Sequence, residues 1–511
     1  MPTSELHRTD RRSFLKTVGM GSAAFALGQT LAAAAKKKPN VLFLAVDDLR
    51  PELGCYGNER TLSPNIDALA KNGILFDRAY CQQPICMASR ASLLSGYRPD
   101  HANIYNCGSL KDLDPDALTI NKQFEANGYS IWSTGKIYHH HEDYEAQFGD
   151  RYKQAEGSWE GRGYLGKESI AAMRNYAKSY KRGDSSGRGP AFESPDVADN
   201  AYGDGIRTDM AIEQLKRFSG DDKPFFMAVG YAKPHLPFNA PEKYWKLYEP
   251  GDIQLADNPF LPKNATAFTP YHFGELRNYY GIPKDEALLP EELSRNLVHG
   301  YYACVSYVDA QIGRLMDALD KLGLRDNTVI VLWGDHGWKL GEHGMWCKHT
   351  PFELDAHVPL IFSYPGMKHR GAAATSFAEF VDIYPTLCEL CGLEIPAHTE
   401  GDSLVGAMAN PGSTVKKVAF TQWPKKDRTN PDKVIMSYSI KTEQYRYIEW
   451  THKKSGKVLA TELYDHAKDP DENVNIASEA EQKETVERLS RLLDGGRGWK
   501  KFRLRPHDVR G

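Results

Sequence analysis

Five short apolar runs, at residues 41–46, 129–133, 225–229, 328–333 and 358–362, constrain this fold more than any other feature. Most of their residues are aliphatic, β-branched or aromatic, and helical stretches separate them. A strand with one wet face alternates apolar and polar residues. Continuous apolar runs instead suit strands covered on both faces of a mainly parallel sheet. In such sheets ligands gather outside the carboxyl ends of the strands. Four of the runs lead into polar residues at that end. The first reaches Asp47 and Asp48, and the second reaches Gly135, Lys136 and His139. The third passes Gly230 and Tyr231 to Lys233, Pro234 and His235, and the fourth ends at Gly334, Asp335 and His336. The fifth has no such sequel and reads as structural. Acids, lysines and histidines far apart in the chain are therefore expected along one sheet edge.

Helices lie between the strands. The clearest spans residues 297–322, with Tyr301, Val305, Val308, Ile312, Leu315 and Leu319 on one face. Residues 181–200 and 252–290 lack periodicity and read as surface insertions, of the kind that shapes pockets. The texture changes near Gly412. Beyond it, residues 418–420, 434–440 and 445–450 suggest antiparallel strands, followed by an amphipathic helix carrying Val486, Leu489, Leu492 and Leu493. The expected class is α/β. A large mixed, mostly parallel sheet flanked by helices occupies residues 37–412, and a smaller C-terminal α+β unit with an antiparallel sheet occupies 413–511.

Residues 1–36 differ in kind. Arg11-Arg12-Ser13-Phe14-Leu15-Lys16 precedes a mild apolar run that ends in four alanines, Ala32 to Ala35. That run is too short to span a bilayer, and the pattern is that of a twin-arginine-type signal peptide. It predicts export by the twin-arginine machinery to the periplasm or beyond, with no stable membrane insertion after processing. The 64 basic and 67 acidic side chains nearly cancel, so bulk charge gives no reason to expect nucleic acid as a partner. Among eight irregularly spaced cysteines, Cys388 and Cys391 form a C-x-x-C without a second ligand pair. Their apolar helical surroundings favour core packing over zinc or a disulfide framework.

Asp47, Asp48 and Asp335, three carboxylates on two strand ends, would repel one another unless a cation neutralised them. Oxygen-rich ligation, with His336 beside it, points to calcium or magnesium. A second segment, Cys86-Met87-Ala88-Ser89-Arg90 continuing through Leu93, Leu94 and Gly96, has the form Cys-x-(Pro or Ala)-x-Arg with a Leu-rich extension. It begins just ahead of a helix expected near Ala88, whose amide end would favour an anion.

With these motifs the chain resembles the type I, formylglycine-dependent sulfatases of the alkaline phosphatase superfamily. Supporting matches include Lys38-Pro39-Asn40-Val41, Ser63-Pro64-Asn65-Ile66-Asp67, Leu340-Gly341-Glu342-His343-Gly344 and Glu462-Leu463-Tyr464-Asp465. Through Asp47-Asp48-Leu49-Arg50 and residues 231–238 and 343–359 it looks most like the iduronate 2-sulfatase subgroup. His336 fits that subgroup, since many sulfatases carry Asn there. The resemblance implies an alkaline-phosphatase-like fold, calcium held by Asp47, Asp48, Asp335, His336 and residue 86, and oxidation of Cys86 by a formylglycine-generating enzyme. It also implies that Arg90 orients residue 86 and that Lys136 and Lys348 neutralise sulfate oxygens. His139 would be the base, and His235, with Lys348, would serve the departing oxygen. The implied substrate is a sulfated saccharide. Two alternatives stand beside it: a phosphoester or phosphonate monoester hydrolase on the same fold, and an inactive protein that binds sulfated glycans.

Overall fold

All five apolar runs are strands of one eight-stranded sheet. The computed structural model describes residues 37–101, 104–105, 108–113, 116–156, 162–179, 188–426 and 434–497. The signal-peptide segment, Cys107 and the first part of the 181–200 insertion lie outside the described residues. The strands are β1 (Asn40–Val46), β2 (Ile74–Phe76), β3 (Ser130–Gly135), β4 (Tyr152–Lys153), β5 (Phe225–Tyr231), β6 (Thr328–Gly334), β7 (Leu360–Ser363) and β8 (Ala372–Ala374). Their order is β8-β2-β7-β6-β1-β5-β3-β4. Strand β7 runs antiparallel to both its neighbours, and the other pairs are parallel. The sheet is thus mixed and mostly parallel, as the sequence implies.

Register explains why the polar residues converge. Val46 pairs with Tyr231 on one side and Gly334 on the other, while Gly135 pairs with Gly230. Four strands therefore end in step. Gly135 and Gly230 allow the tightest approach: a Cβ on either would sit under 2.5 Å from the backbone of the opposite strand end. The Lys136 amide can then donate to the Gly230 carbonyl at 3.0 Å.

Both faces of the central strand are covered, which accounts for its continuous apolar sequence. Successive side chains point to opposite faces. Leu42, Leu44 and Val46 join one core, and Val41, Phe43 and Ala45 join the other. Helix α1 (Cys86–Ser95) packs in the second of these cores through Met87, Ala91 and Leu94. Helices α2 (Gly203–Ser219) and α3 (Glu291–Lys321) cover the first, and α3 buries the whole stripe from Leu297 to Leu319. Leu315 is fully buried there. Leu315→Ala should lower the unfolding free energy by about 2–5 kcal/mol, the usual cost of a partly collapsed cavity. Denaturant titration checks this; a loss under about 0.5 kcal/mol, typical of surface changes, would show the stripe is not core.

The C-terminal sheet is β9 (Ala419–Lys426), β10 (Val434–Lys441), β11 (Tyr445–His452) and β12 (Val458–Asp465), antiparallel throughout, followed by α4 (Lys483–Arg497). Leu489, Leu492 and Leu493 cover one face with Phe420, Ile440, Tyr447 and Leu463. The other face packs Ile435, Ile448, Trp450 and Tyr464 against Met345 and Phe352. Strand β12 is additional to the three strands the sequence pattern suggests. Cys388 and Cys391 are buried in the core, as their pattern implies. Among the described residues no helix is long and apolar enough to cross a membrane.

Candidate active site

The strand ends deliver their polar residues into one buried cluster. Asp47 and Asp48 follow β1. Asp48 adopts a left-handed conformation (φ 59°), which Asp tolerates better than most residues, and this turns the chain back under the sheet edge. Tyr301 of α3 fixes that turn: its hydroxyl donates to the Asp48 carbonyl at 2.9 Å and accepts the Arg50 amide at 3.0 Å. Asp335 and His336 follow β6. One Asp335 oxygen accepts the Asp48 amide at 2.9 Å and the His336 amide at 3.1 Å, locking the two strand ends together.

Helix α1 supplies Cys86 and Arg90. The sequence places Cys86 just ahead of the helix. In the structure it is the first helical residue, capped by extended Ile85, and the helix closes at Gly96 with φ 76°. The correction moves residue 86 onto the amide end itself, where the helix dipole is positive. Cys86 Sγ lies 3.3 Å from His336 Nε2 and 3.9 Å from Asp48 Oδ1. One helical turn on, the buried Arg90 guanidinium bridges the acids: Nε is 2.8 Å from Asp335 and Nη2 is 3.0 Å from Asp47. Its remaining nitrogen donates to the Lys136 and Ile137 carbonyls.

Two lysines enter from opposite sides. Lys136 pairs with Asp47. Lys348 follows a short strand, Trp346–Cys347, and donates to both Asp48 oxygens at 2.9 and 3.1 Å. His235 lies on the loop after β5, where Asp204 in the first turn of α2 accepts the Ala232 and Lys233 amides at 2.9 Å. Its Nδ1 is 2.6 Å from the Leu236 carbonyl, so Nε2 turns into the cluster, 3.9 Å from Asp48. Among the described residues no hydrogen bond joins His139 to the cluster. Its ring faces solvent, 4.9 Å from that of His140. Its partial burial and the nearby Lys136 charge lower its pKa to about 3, which leaves it neutral and weakly basic.

Sequence reading missed Glu275. It comes from the 252–290 insertion and reaches both His235 Nε2 at 2.9 Å and Lys348 Nζ at 3.0 Å. No strand, motif or charge pattern in Gly274-Glu275-Leu276-Arg277 marks it out.

Burial alone would raise the Asp47 carboxyl, but Lys136 and Arg90 outweigh it and hold the group well below the ordinary range. Asp48 goes the other way. Burial pushes it up to about 7, with Lys348 offsetting only part. Burial, then Asp47, also drives the Cys86 thiol well up, so a reactive thiolate is disfavoured there.

The donor set suits a divalent cation. Ligand atoms of Asp47, Asp48, Cys86 and His235 lie within 4.8 Å of one another, as do those of Cys86, Asp335 and His336. His336 Nδ1 is 2.9 Å from the Gly337 carbonyl and donates to it. Its Nε2 lone pair then faces Asp48 and Asp335 oxygens at 3.3 and 3.6 Å. Acceptors aimed at one another, with Asp48 hard to ionise, fit a cation shared between them. A second group of possible ligands, Glu353, His466 and Glu472, lies apart from this cluster, and Arg446 pairs with both glutamates. A groove of about 940 Å³ between the 252–290 insertion and the C-terminal sheet is lined by none of the cluster.

Comparison with known proteins bears on what such a cluster does. The sulfatase family model matches residues 39–393. A model for the C-terminal part of N-sulphoglucosamine sulphohydrolase matches residues 341–497. The chain is similar to human iduronate 2-sulfatase, 32% identical over 551 aligned positions covering 93% of this chain and 98% of that one. In structure it is similar to a phosphonate monoester hydrolase of Agrobacterium radiobacter, with TM-score 0.69 and 23% identity over 90% of this chain and 95% of that one. It is also similar to a 2-O GAG sulfatase, with TM-score 0.68 and 22% identity over 91% and 93%. At these identities the two structural likenesses establish the fold.

Proposed function

The chain belongs to the sulfatase family and is a sulfuric ester hydrolase; from that premise we propose that it removes sulfate from a sulfated carbohydrate, using formylglycine made from Cys86 and one bound calcium ion. The observation that carries this reading is the meeting of residue 86 with Asp48 and His336 at the end of α1, beside Arg90, Lys136 and Lys348.

Asp47, Asp48, Asp335 and His336 would hold the cation, with residue 86 beside it. When bound, it supplies positive charge to the sulfate oxygens. A hydrated aldehyde at position 86 supplies two hydroxyls on one carbon, one to attack sulfur and one to release sulfate afterwards. As a thiol, residue 86 is a poor nucleophile, because burial and Asp47 raise its pKa. Arg90 holds the acids in place and orients residue 86. Lys136 and Lys348 meet charge developing on the sulfate oxygens. His139, neutral at the mouth of the site, takes the proton whose removal frees sulfate. His235 Nε2 gives a proton to the departing sugar oxygen.

Residues 1–36 support export by the twin-arginine route, and maturation would call on a formylglycine-generating enzyme. We propose residues 37–412 as the catalytic domain and 413–511 as its C-terminal α+β subdomain. Two substrates of one scaffold test the reaction class. Matured protein should hydrolyse an aryl sulfate at least about 100-fold more efficiently than the matching aryl phosphate, because the relatives in sequence are sulfatases. Preference for the phosphate would instead favour the phosphoester or phosphonate reading. A panel of sulfated mono- and disaccharides then identifies the sugar.

A further inference from the structure

Glu275 does not belong to the strand-end machinery, yet it reaches two of the site's residues, at 2.9 and 3.0 Å. Its carboxylate spans His235 and Lys348, which approach from different parts of the chain. The segment that carries it is anchored on both sides. Phe273 is buried at φ 40°, a left-handed conformation that is costly for an aromatic residue and is retained where surroundings enforce it. Leu276 is buried, and the Arg277 guanidinium lies 4.0 Å over the Phe273 ring while donating to the Pro283 and Glu286 carbonyls. A carboxylate placed so firmly between an imidazole and an ammonium group restricts both.

We propose that Glu275 is a positioning residue that clamps His235 Nε2 and Lys348 Nζ over the departing oxygen of the sulfate ester, an inference that rests on the hydrolase reading above. Lys348 has a second tether, Asp48, whereas the inward nitrogen of His235 has its near contact in Glu275. In the step concerned, the residue 86 hydroxyl passes its proton to Asp48, whose Oδ1 lies 3.9 Å from the Cys86 Sγ, as its oxygen bonds sulfur and the ester S–O bond breaks. The departing oxygen keeps the electron pair and receives the Nε2 proton that His235 shares with Glu275 in the free site. Loss of the clamp leaves the Leu236 carbonyl as the hold on the ring, at its other nitrogen, and misplaces that proton. A nitrophenolate leaves without one at neutral pH; a sugar alkoxide does not.

The test compares Glu275→Gln and Glu275→Asp with wild type on a nitrophenyl sulfate and on a sugar sulfate. For Glu275→Gln, kcat/KM should fall about 100-fold or more on the sugar sulfate and less than about tenfold on the aryl ester. On the sugar sulfate the loss should lie in kcat, with KM changed less than about threefold, and Glu275→Asp should recover part of it. If wild type turns over the sugar sulfate alone, the kcat–KM split and the Asp rescue decide the matter. Equal losses on both esters, or a loss confined to KM, overturn the clamp while leaving the hydrolase intact. Absence of any sulfate ester turnover by fully matured wild type overturns the hydrolase reading and the clamp with it.

Discussion

Cys86→Ala is expected to abolish turnover, lowering kcat on the order of 10⁵-fold or more, as loss of a covalent nucleophile does elsewhere. The reason is local. Residue 86 begins α1 beside the acids, and among the described residues no other nucleophile is placed there: Ser89 instead donates its hydroxyl to the Asp335 carbonyl. The variant should fold. Cys86 is a small buried side chain, and the helix keeps Ala88, Ala91 and Leu94 for packing, so stability should change by no more than about 1–2 kcal/mol. A binding protein without catalysis would keep its glycan affinity and lose nothing else. Steady-state kinetics alongside thermal unfolding separates the outcomes; retained turnover would remove residue 86 from the chemistry.

Asp335→Ala should be nearly as damaging to activity and more damaging to the fold. One carboxylate does three jobs: it pairs with Arg90 Nε at 2.8 Å, accepts two amides, and faces the proposed cation site. Removal leaves a fully buried guanidinium with Asp47 as its remaining carboxylate. Breaking such a buried pair costs about 3–5 kcal/mol. We expect kcat/KM to fall on the order of 10³-fold and added calcium not to restore it. Wild type stripped with a chelator should, by contrast, lose activity and regain it with calcium. If Asp335→Ala matched wild type in calcium response and stability, the cation would lie elsewhere.

The sheet was readable because burial on both faces forces continuous apolar strands, as at Asn40–Val46. The site was readable for the same reason: parallel strands that end in register must bring Asp47, Lys136 and Asp335 together. What escaped has physical causes too. Strand β12 carries Thr461 and Glu462 at its centre, which break the apolar signal. Glu462 is nonetheless buried, because Thr266, Trp450 and Tyr464 hydrogen-bond it. Glu275 was invisible because its segment has no period. Its place depends on tertiary anchors at Phe273 and Arg277 that local sequence does not encode. Cys86 was placed slightly early because a helix start is decided by backbone geometry at Ile85, and that residue is no conventional cap.

The central claim is that sulfate hydrolysis runs through an aldehyde hydrate at position 86. Peptide mass spectrometry across residues 86–96, on preparations matured to different extents and assayed in parallel, measures this directly. Turnover should rise in proportion to the fraction of residue 86 carrying the formylglycine mass and vanish where it is entirely cysteine. Full turnover by protein that retains the unmodified Cys86 thiol would contradict the account.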